Sequence, residues 1–551
     1  MQLTTIRAAV CPSTITKVTR LFNGTLHDVA HELFQNARRA GAMRIVVQIG
    51  DDDGQATLTI YDDGCGIDDP ASVLTLGQSR WTDQIKAAED PAGMGVFSLA
   101  GRRVTIESWS PRHQASWKAV IEADAWDGSQ DIAINEGSHC QGTAITIDLP
   151  PDWAGHVQSA IYAASAYLPI PVELNRDAVP RGDFLDGAVR IAEWNGSRIG
   201  IFEGHAPERS INFHGVTISC RLPRVHECDQ LHYSHHARLD IGDTPALQLV
   251  LPARKEAVEN AGLAALREAV ELEIYRTIAA KTAHRLAYHH WQRATELGIE
   301  IAEAEQTLCT WHPQVADCNS GSFGSTRIAA EGAILTPMFS PSFGQPLARA
   351  AAKHPFRAQF AEKVAGYIGY SWYDALASIL DARLVVTCVD GSKITIDDFE
   401  ESADLADHTL VEAIEAQFDI GVRTTRETIC LSADVAFGSG ADIYDGLEAA
   451  RIVWTKDGAS VDDLADLLDA AYFCSSDDRE CDSWDTQRRS FEDEALALAA
   501  SLLVGEDAAA AARIQRLLRD NVWLVPVGRS CTISIVDRKV EVVVVPLDQA
   551  A

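Results

Sequence analysis

Apolar positions near the start of the chain keep two successive periods. In TLHDVAHELFQNARRAGA, residues 25 to 42, Leu26, Val29, Ala30, Leu33 and Phe34 recur at helical spacing. Thr25 or Asn23 can cap such a helix and Gly41 can end it. On its polar side Glu32 and Asn36 lie four residues apart and share a face. The period then drops to two. RIVVQIG and ATLTIY read as strands joined by DDDG, a strong hairpin signal. The second strand runs into YDDGCGI, where Gly64 and Gly66 allow backbone angles that side chains forbid.

Farther along, residues 68 to 90 mix helical and loop character. PAGMGVFSLAGRRVTI then reads as a glycine pair opening a short apolar helix that feeds a strand. ASWKAVIEA and GTAITIDL are further strands, and Pro150 and Pro151 close a first domain, 1–150. A helix is expected from Asp152 to about Leu168. YLPIPVELN, VRIAEW, RIGIFEG, INFHGVTISCRL, ARLDI and PALQLVLP are strands of a second α/β domain, 151–300. That domain ends in one long helix from about Glu256 to Leu297, interrupted by Gly262. Residues 301–346, with NSGSFGS and MFSPSFGQP, read as a linker or functional loop. From 347 to 551 helical patterns dominate, as in LARAAAKHPFRAQFAEKVAGYIG and DDLADLLDAAYF, before a closing strand pair. Acidic residues gather there, among them Asp397, Asp398, Glu400 and Glu401.

Composition narrows the classes. A chain of 551 residues exceeds one core, and 46% hydrophobic with 23% charged residues is ordinary for a globular protein. No apolar run approaches the ~20 residues of a membrane span. The N-terminus makes a poor signal peptide, so a cytoplasmic location is expected. Twelve scattered cysteines without a CxxC pair suit free thiols in a reducing compartment. A formal charge of -32 disfavours loose binding to nucleic acid or anionic lipid, because the long-range field repels phosphates. High alanine and aspartate with four methionines suggests a GC-rich bacterial genome. His226, Cys228, His232, His235 and His236 follow no familiar zinc spacing and read as a polar loop; Cys309, His312 and Cys318 are no better as metal ligands.

The chemistry concentrates in the first domain. Asp62, at a strand end, can accept an adenine amino proton, while Gly66 lets a base approach the backbone. Gly93 and Gly95 open a helix whose N–H groups suit a polyphosphate. Asn36 offers an oxygen to magnesium, and Glu32 can take a proton from an attacking water.

In this order the pieces resemble the GHKL ATPase superfamily, which takes in DNA gyrase, the ninety-kilodalton heat-shock chaperones, histidine kinases and MutL. The N box, a Glu four residues before an Asn, matches Glu32 and Asn36. The G1 box, DxGxG, matches Asp62, Gly64 and Gly66 and leads into Ile67. The G2 box resembles Gly93, Met94 and Gly95, followed by Val96, and the GT of the G3 box matches Gly142 and Thr143. The resemblance spans about residues 25 to 149 and is closest to the MutL style of these boxes. It implies a Bergerat-type α/β sandwich binding ATP and magnesium. Glu32 would be the general base, Asn36 the magnesium ligand and Asp62 the adenine contact, with Thr143 helping through water. Residues 67 to 93 would be the ATP lid, with Ser79 and Arg80 near the phosphates. Arg39 departs from the pattern, because MutL-like proteins carry an acidic residue there. The second domain resembles the transducer of these ATPases, in which a loop residue, here Arg254 or Lys255, reaches the terminal phosphate.

What the resemblance implies is a slow ATPase whose ATP closes a lid and joins two protomers through their N-terminal domains, as a chaperone or clamp. Histidine kinases carry a phosphoacceptor hairpin before the N box, and only two dozen residues precede it here, so a kinase is not expected. Two alternatives stay open: a DNA-associated MutL- or topoisomerase-like ATPase, and a nucleotide-binding regulatory module without hydrolysis. The acidic C-terminal region, expected to be mostly helical, favours a protein client over DNA.

Overall fold

The computed structural model describes residues 25–52, 54–73, 75, 96–128, 130–228, 233–242, 257–317, 326–354, 359–398, 408–422, 425–438, 447, 450–456, 458–476 and 483–547. The fold is α/β, in two compact units, Met1–Ala304 and Glu305–Ala551.

In the first unit, helix α1 (Leu26–Arg39) starts where its cap predicts. The Asp28 N–H donates to Thr25 Oγ1 at 3.2 Å, and Arg38 and Arg39 stand in the last turn, where the helix dipole favours positive charge. Its stripe of Val29, Ala30, Leu33 and Phe34 is buried against Ile45, Val47, Leu58 and Ile60 of the sheet below. That sheet has eight strands: β1 (Ile45–Asp52), β2 (Gln55–Asp62), β3 (Val104–Ser110), β4 (Ala115–Ile121), β5 (Ile134–Glu136), β6 (Thr143–Asp148), β7 (Val172–Leu174) and β8 (Asp177–Ala178). Their spatial order is β5-β4-β3-β6-β2-β1-β7-β8. β6 therefore lies between β2 and β3, antiparallel to both. This places the start of β6 beside the end of β2, two segments 80 residues apart in sequence.

The sheet runs past the prolines at 150 and 151. Trp153, Val157, Ile161 and Leu168 sink into the same core, α2 (Val157–Ser165) packs on α1, and β7 pairs in parallel with β1 through Ile45 and Val172. YLPIPVELN thus completes the first sheet instead of opening a second one.

A second sheet follows, of β9 (Arg190–Trp194), β10 (Ser197–Gly204), β11 (Ile211–Phe213), β12 (Val216–Ile218), β13 (Arg224–His226) and β14 (Ser234–Ile241). Helix α3 (Ala261–Ala279) covers it with Leu263, Leu266, Val270, Ile274 and Ile278, and Asn260 caps its first turn. The long helix expected up to Leu297 is broken. After Ala279 the chain turns extended, Leu286 is buried and bridges Glu227, and a separate helix α4 (Tyr288–Glu296) follows. The strand expected at PALQLVLP lies outside the described residues. His235 and His236 are buried in β14, not in a loop, and His236 stacks on Phe202. His232 lies outside the described residues.

The second unit is richer in strands than its sequence suggests. β15 (Thr307–Cys309) pairs with β16 (Arg327–Ala329). A sheet is built from β17 (Ile334–Thr336), β18 (Phe360–Glu362), β19 (Ala377–Thr387), β20 (Lys393–Asp397), β22 (Ala413–Val422) and β23 (Thr425–Ala433). A smaller one joins β21 (His408–Val411), β24 (Val435–Phe437) and β25 (Ile452–Thr455). MFSPSFGQP is no linker. It opens helix α5 (Pro341–Ala352), whose Phe343 is buried, and the Ser340 hydroxyl at its head donates to Asp398. Helices α6 (Val461–Tyr472), α7 (Trp484–Leu503) and α8 (Glu506–Asp520) precede the hairpin β26 (Arg529–Val536) and β27 (Lys539–Pro546). Among the described residues no helix is long and apolar enough to cross a membrane.

Candidate active site

The site begins at the end of β2. Asp62 pairs across the sheet with Thr143, the first residue of β6. Three glycines let the backbone close around it. Gly142 and Gly66 both sit at φ +71, and a Cβ on them would lie 1.8 Å from the Asp62 carbonyl oxygen and 2.1 Å from that of Trp109. A Cβ on Gly64 would fall 2.7 Å from that of Ala40. Gly66 is therefore demanded by its own crossing with β3, whatever approaches from outside.

Under this turn lies Ser108, a polar residue with no exposed surface at a position where the alternation of VTIESWS calls for an apolar one. Its hydroxyl donates to the Gly142 carbonyl at 3.1 Å and accepts the Ile67 N–H at 3.0 Å. A further bond of 2.8 Å joins it to Thr143 Oγ1. Either hydroxyl can donate in that bond, and in both cases the Thr143 oxygen keeps acceptor capacity. Sequence reasoning missed Ser108, and the break in alternation was the signal.

The turn is tied to α1. Cys65 N–H donates to the Ala40 carbonyl at 2.9 Å, and Ala40 N–H donates to the Asn36 carbonyl at 2.9 Å. Asp63 Oδ1 accepts the N–H groups of Met43 and Arg44 at 2.7 and 3.0 Å. Thus the strand end carrying Asp62 and the helix face carrying Glu32 and Asn36 belong to one hydrogen-bonded frame. Withdrawal from water pushes the Asp62 carboxyl up to about 6. The Gly64 N–H, donating to it at 2.9 Å, works against that rise, and neighbouring Asp63 adds to it.

On α1 Glu32, Asn36 and Arg39 follow one another along a half-exposed face, and Arg39 Nη1 donates to Asn36 Oδ1 at 3.2 Å. The Asn36 oxygen suits a hard cation, but here a guanidinium occupies one of its lone pairs. The oxygen has a second lone pair for a cation, but the positive charge of the guanidinium opposes magnesium there. On the neighbouring face burial pushes His31 down to about 4, and its Nε2 lies 3.0 Å from that of His27.

The short helix expected at VFSLAG is a 3₁₀ turn, Val96–Leu99, whose Phe97 and Leu99 sit in the core below α1. Ser79, Arg80, Gly93, Met94, Gly95, Arg254 and Lys255 lie outside the described residues. Of the expected set, Asp62, Gly64, Gly66 and Ile67 share one turn, with Thr143 of β6 paired to Asp62 and the turn bonded to the helix of Glu32 and Asn36. A cavity of ≈ 860 Å³ lies elsewhere in this unit, lined by Arg38, Arg181, Arg198, Asn212, His214 and Asp240 among others. Its polar groups bond mainly to one another, as Arg198 and Asn212 do to Asp240. Glu32, Asn36, Asp62 and Thr143 are not among the residues that line it. Among the described residues no group of three or more His, Cys, Asp or Glu could hold a metal ion.

No family model matches the chain, and no curated protein matches it in sequence. Solved structures do. The ATPase region of Saccharomyces cerevisiae topoisomerase II is similar at 10% identity and a TM-score of 0.35, over 53% of this chain and 98% of that one. The same region bound to dexrazoxane gives 11% and 0.34, over 53% and 99%. The ATPase and transducer domains of topoisomerase II from Balamuthia mandrillaris give 16% and 0.28, over 35% and 60%.

Proposed function

We propose that this chain binds ATP between the end of β2 and helix α1 and hydrolyses it slowly to ADP and phosphate. One observation carries the reading. A half-buried carboxylate, Asp62, pairs across the strands with a threonine whose hydroxyl is fixed by a buried serine, and the same turn is bonded to the helix bearing Glu32 and Asn36. Adenine suits the first half of that arrangement: its amino group donates to ionised Asp62, while Thr143 accepts directly or through water. The phosphates then run towards α1.

Glu32 takes the proton of the attacking water. The water oxygen bonds to the terminal phosphorus, the bond from that phosphorus to the bridging oxygen breaks, and ADP leaves with the electron pair. A positioned base of this kind contributes roughly 10²–10⁴-fold in rate. Bound magnesium would be held by Asn36 and would neutralise phosphate charge.

We further infer an ATP-dependent homodimer that acts on a protein client, since a net charge of -32 opposes DNA. Turnover and oligomeric state of wild type and Glu32→Ala, with and without a non-hydrolysable analogue, test both claims. Glu32→Ala should keep nucleotide affinity, lose turnover by roughly 10²-fold or more and still dimerise with the analogue. A wild type that neither binds nor hydrolyses ATP ends the reading. Stimulation by duplex DNA, but not by an unfolded protein, would reverse the choice of client.

A further inference from the structure

Helix α1 carries two polar faces. Glu32, Asn36 and Arg39 mark one; His31, Gln35 and Arg38 mark the other. Gln35 is 2% exposed. Its amide nitrogen donates at 2.6 Å to the backbone carbonyl of His214 in the second sheet, 179 residues away, and its oxygen accepts Arg38 Nε at 3.3 Å.

The acceptor is itself held in place. His214 (φ +53) and Gly215 (φ +103) form the tight turn between β11 and β12. Gly215 N–H donates to Asn212 Oδ1 at 2.8 Å, and Asn212 Nδ2 donates to Asp240 and to the Tyr167 carbonyl. Gly215 packs on Leu168, where a Cβ would come within 3.1 Å of the side chain and 3.2 Å of the backbone. A turn of the second sheet thus meets α1 through one buried amide.

We infer that Gln35 is a positioning residue. It fixes the roll of α1 about its axis, aims Glu32 and Asn36, and thereby makes the second sheet part of the hydrolytic apparatus. This rests on the reading of Glu32 and Asn36 given above. Side chains stand about 5–6 Å from a helix axis, so a roll of roughly 10° moves the Glu32 carboxylate by about 1 Å. A misplacement of that size costs up to about 10²-fold in rate. ADP leans on Asp62 and Thr143, which sit on the first sheet rather than on α1.

The test is steady-state turnover together with calorimetric ADP affinity and melting temperature, on the full chain. Gln35→Ala should lower kcat roughly 10–100-fold and leave ADP affinity within about twofold. Gln35→Glu keeps the size but turns a carboxylate towards the carbonyl, and should show the same split. Gly215→Ala displaces the acceptor from the other side; it should reproduce the split and add nothing on top of Gln35→Ala. An unchanged kcat in Gln35→Ala overturns the inference. So does a parallel fall of kcat, ADP affinity and melting temperature in all three variants, which marks a merely structural bond. If wild type neither binds nor hydrolyses ATP, the reading of the site has failed and this inference falls with it.

Discussion

Asp62 is a residue whose chemistry the fold changes. Its ordinary value is 3.8, and burial lifts it to about 6. Between those pH values the folded chain holds a proton that the unfolded chain has released. Stability from that proton is complete below the unfolded value and is lost as pH rises through about 6. Asp62→Asn cannot ionise, so urea melts should find it more stable than wild type at pH 7.5, with the gap closing towards pH 4. A gap that stays the same at both pH values refutes this. Nucleotide affinity runs the opposite way: adenine donates to the ionised carboxylate, so ADP should bind more weakly as pH falls below about 6, approaching tenfold per pH unit. Arg39 supplies a second test, because its guanidinium lies 3.2 Å from the Asn36 oxygen. Arg39→Ala should lower the magnesium concentration that half-saturates binding of a non-hydrolysable ATP analogue. A magnesium titration that does not move would show that the two do not compete.

Among elements, the β2 turn is held by crossings that exclude side chains. Gly142→Ala must place a methyl group where the Asp62 carbonyl oxygen stands, at a φ that L residues rarely adopt. It should cost at least about 2 kcal/mol and abolish ADP binding; a variant that melts like wild type would show that the crossing has slack. How legible each element was follows from the range of its interactions. α1 was legible because cap, stripe and stop lie within 18 residues. The β1–β2 hairpin was legible because its turn is local. The strands Ala377–Thr387 and Ala413–Val422 were missed although SILDARLVVT and AIEAQFDIGV carry a period of two, because their alanine and acidic residues imitate helical segments. β7 could not be assigned to the first sheet from sequence, since its partner β1 lies more than 120 residues earlier and parallel pairing leaves no local mark. At the site the glycines and Asp62 stood out as a motif, whereas Ser108 and Gln35 did not. Their roles come from contacts 34 and 179 residues away.

For the whole molecule, each compact unit carries cores of its own. In the first, Val29, Leu33 and Phe34 pack over Ile45 and Leu58, and α3 covers the second sheet. In the second, Phe343, Leu347 and Phe360 pack with Leu384, Ile414 and Phe418, while α6 and α7 build a further cluster around Leu464 and Leu468. Units with separate cores need not melt together. Scanning calorimetry should therefore resolve two transitions. Leu33→Ala removes a side chain 3% exposed from the first core, and Leu384→Ala one that is 0% exposed from the second. Each should cost about 2–5 kcal/mol and lower only the transition of its own unit. ADP at about a hundred times its dissociation constant adds about 2.7 kcal/mol to whatever binds it. It should raise the transition sensitive to Leu33→Ala by roughly 5 °C and leave the other in place. A single transition lowered by both substitutions would mean that the units unfold as one. A rise confined to the transition sensitive to Leu384→Ala would put the nucleotide in the second unit, away from Asp62 and α1.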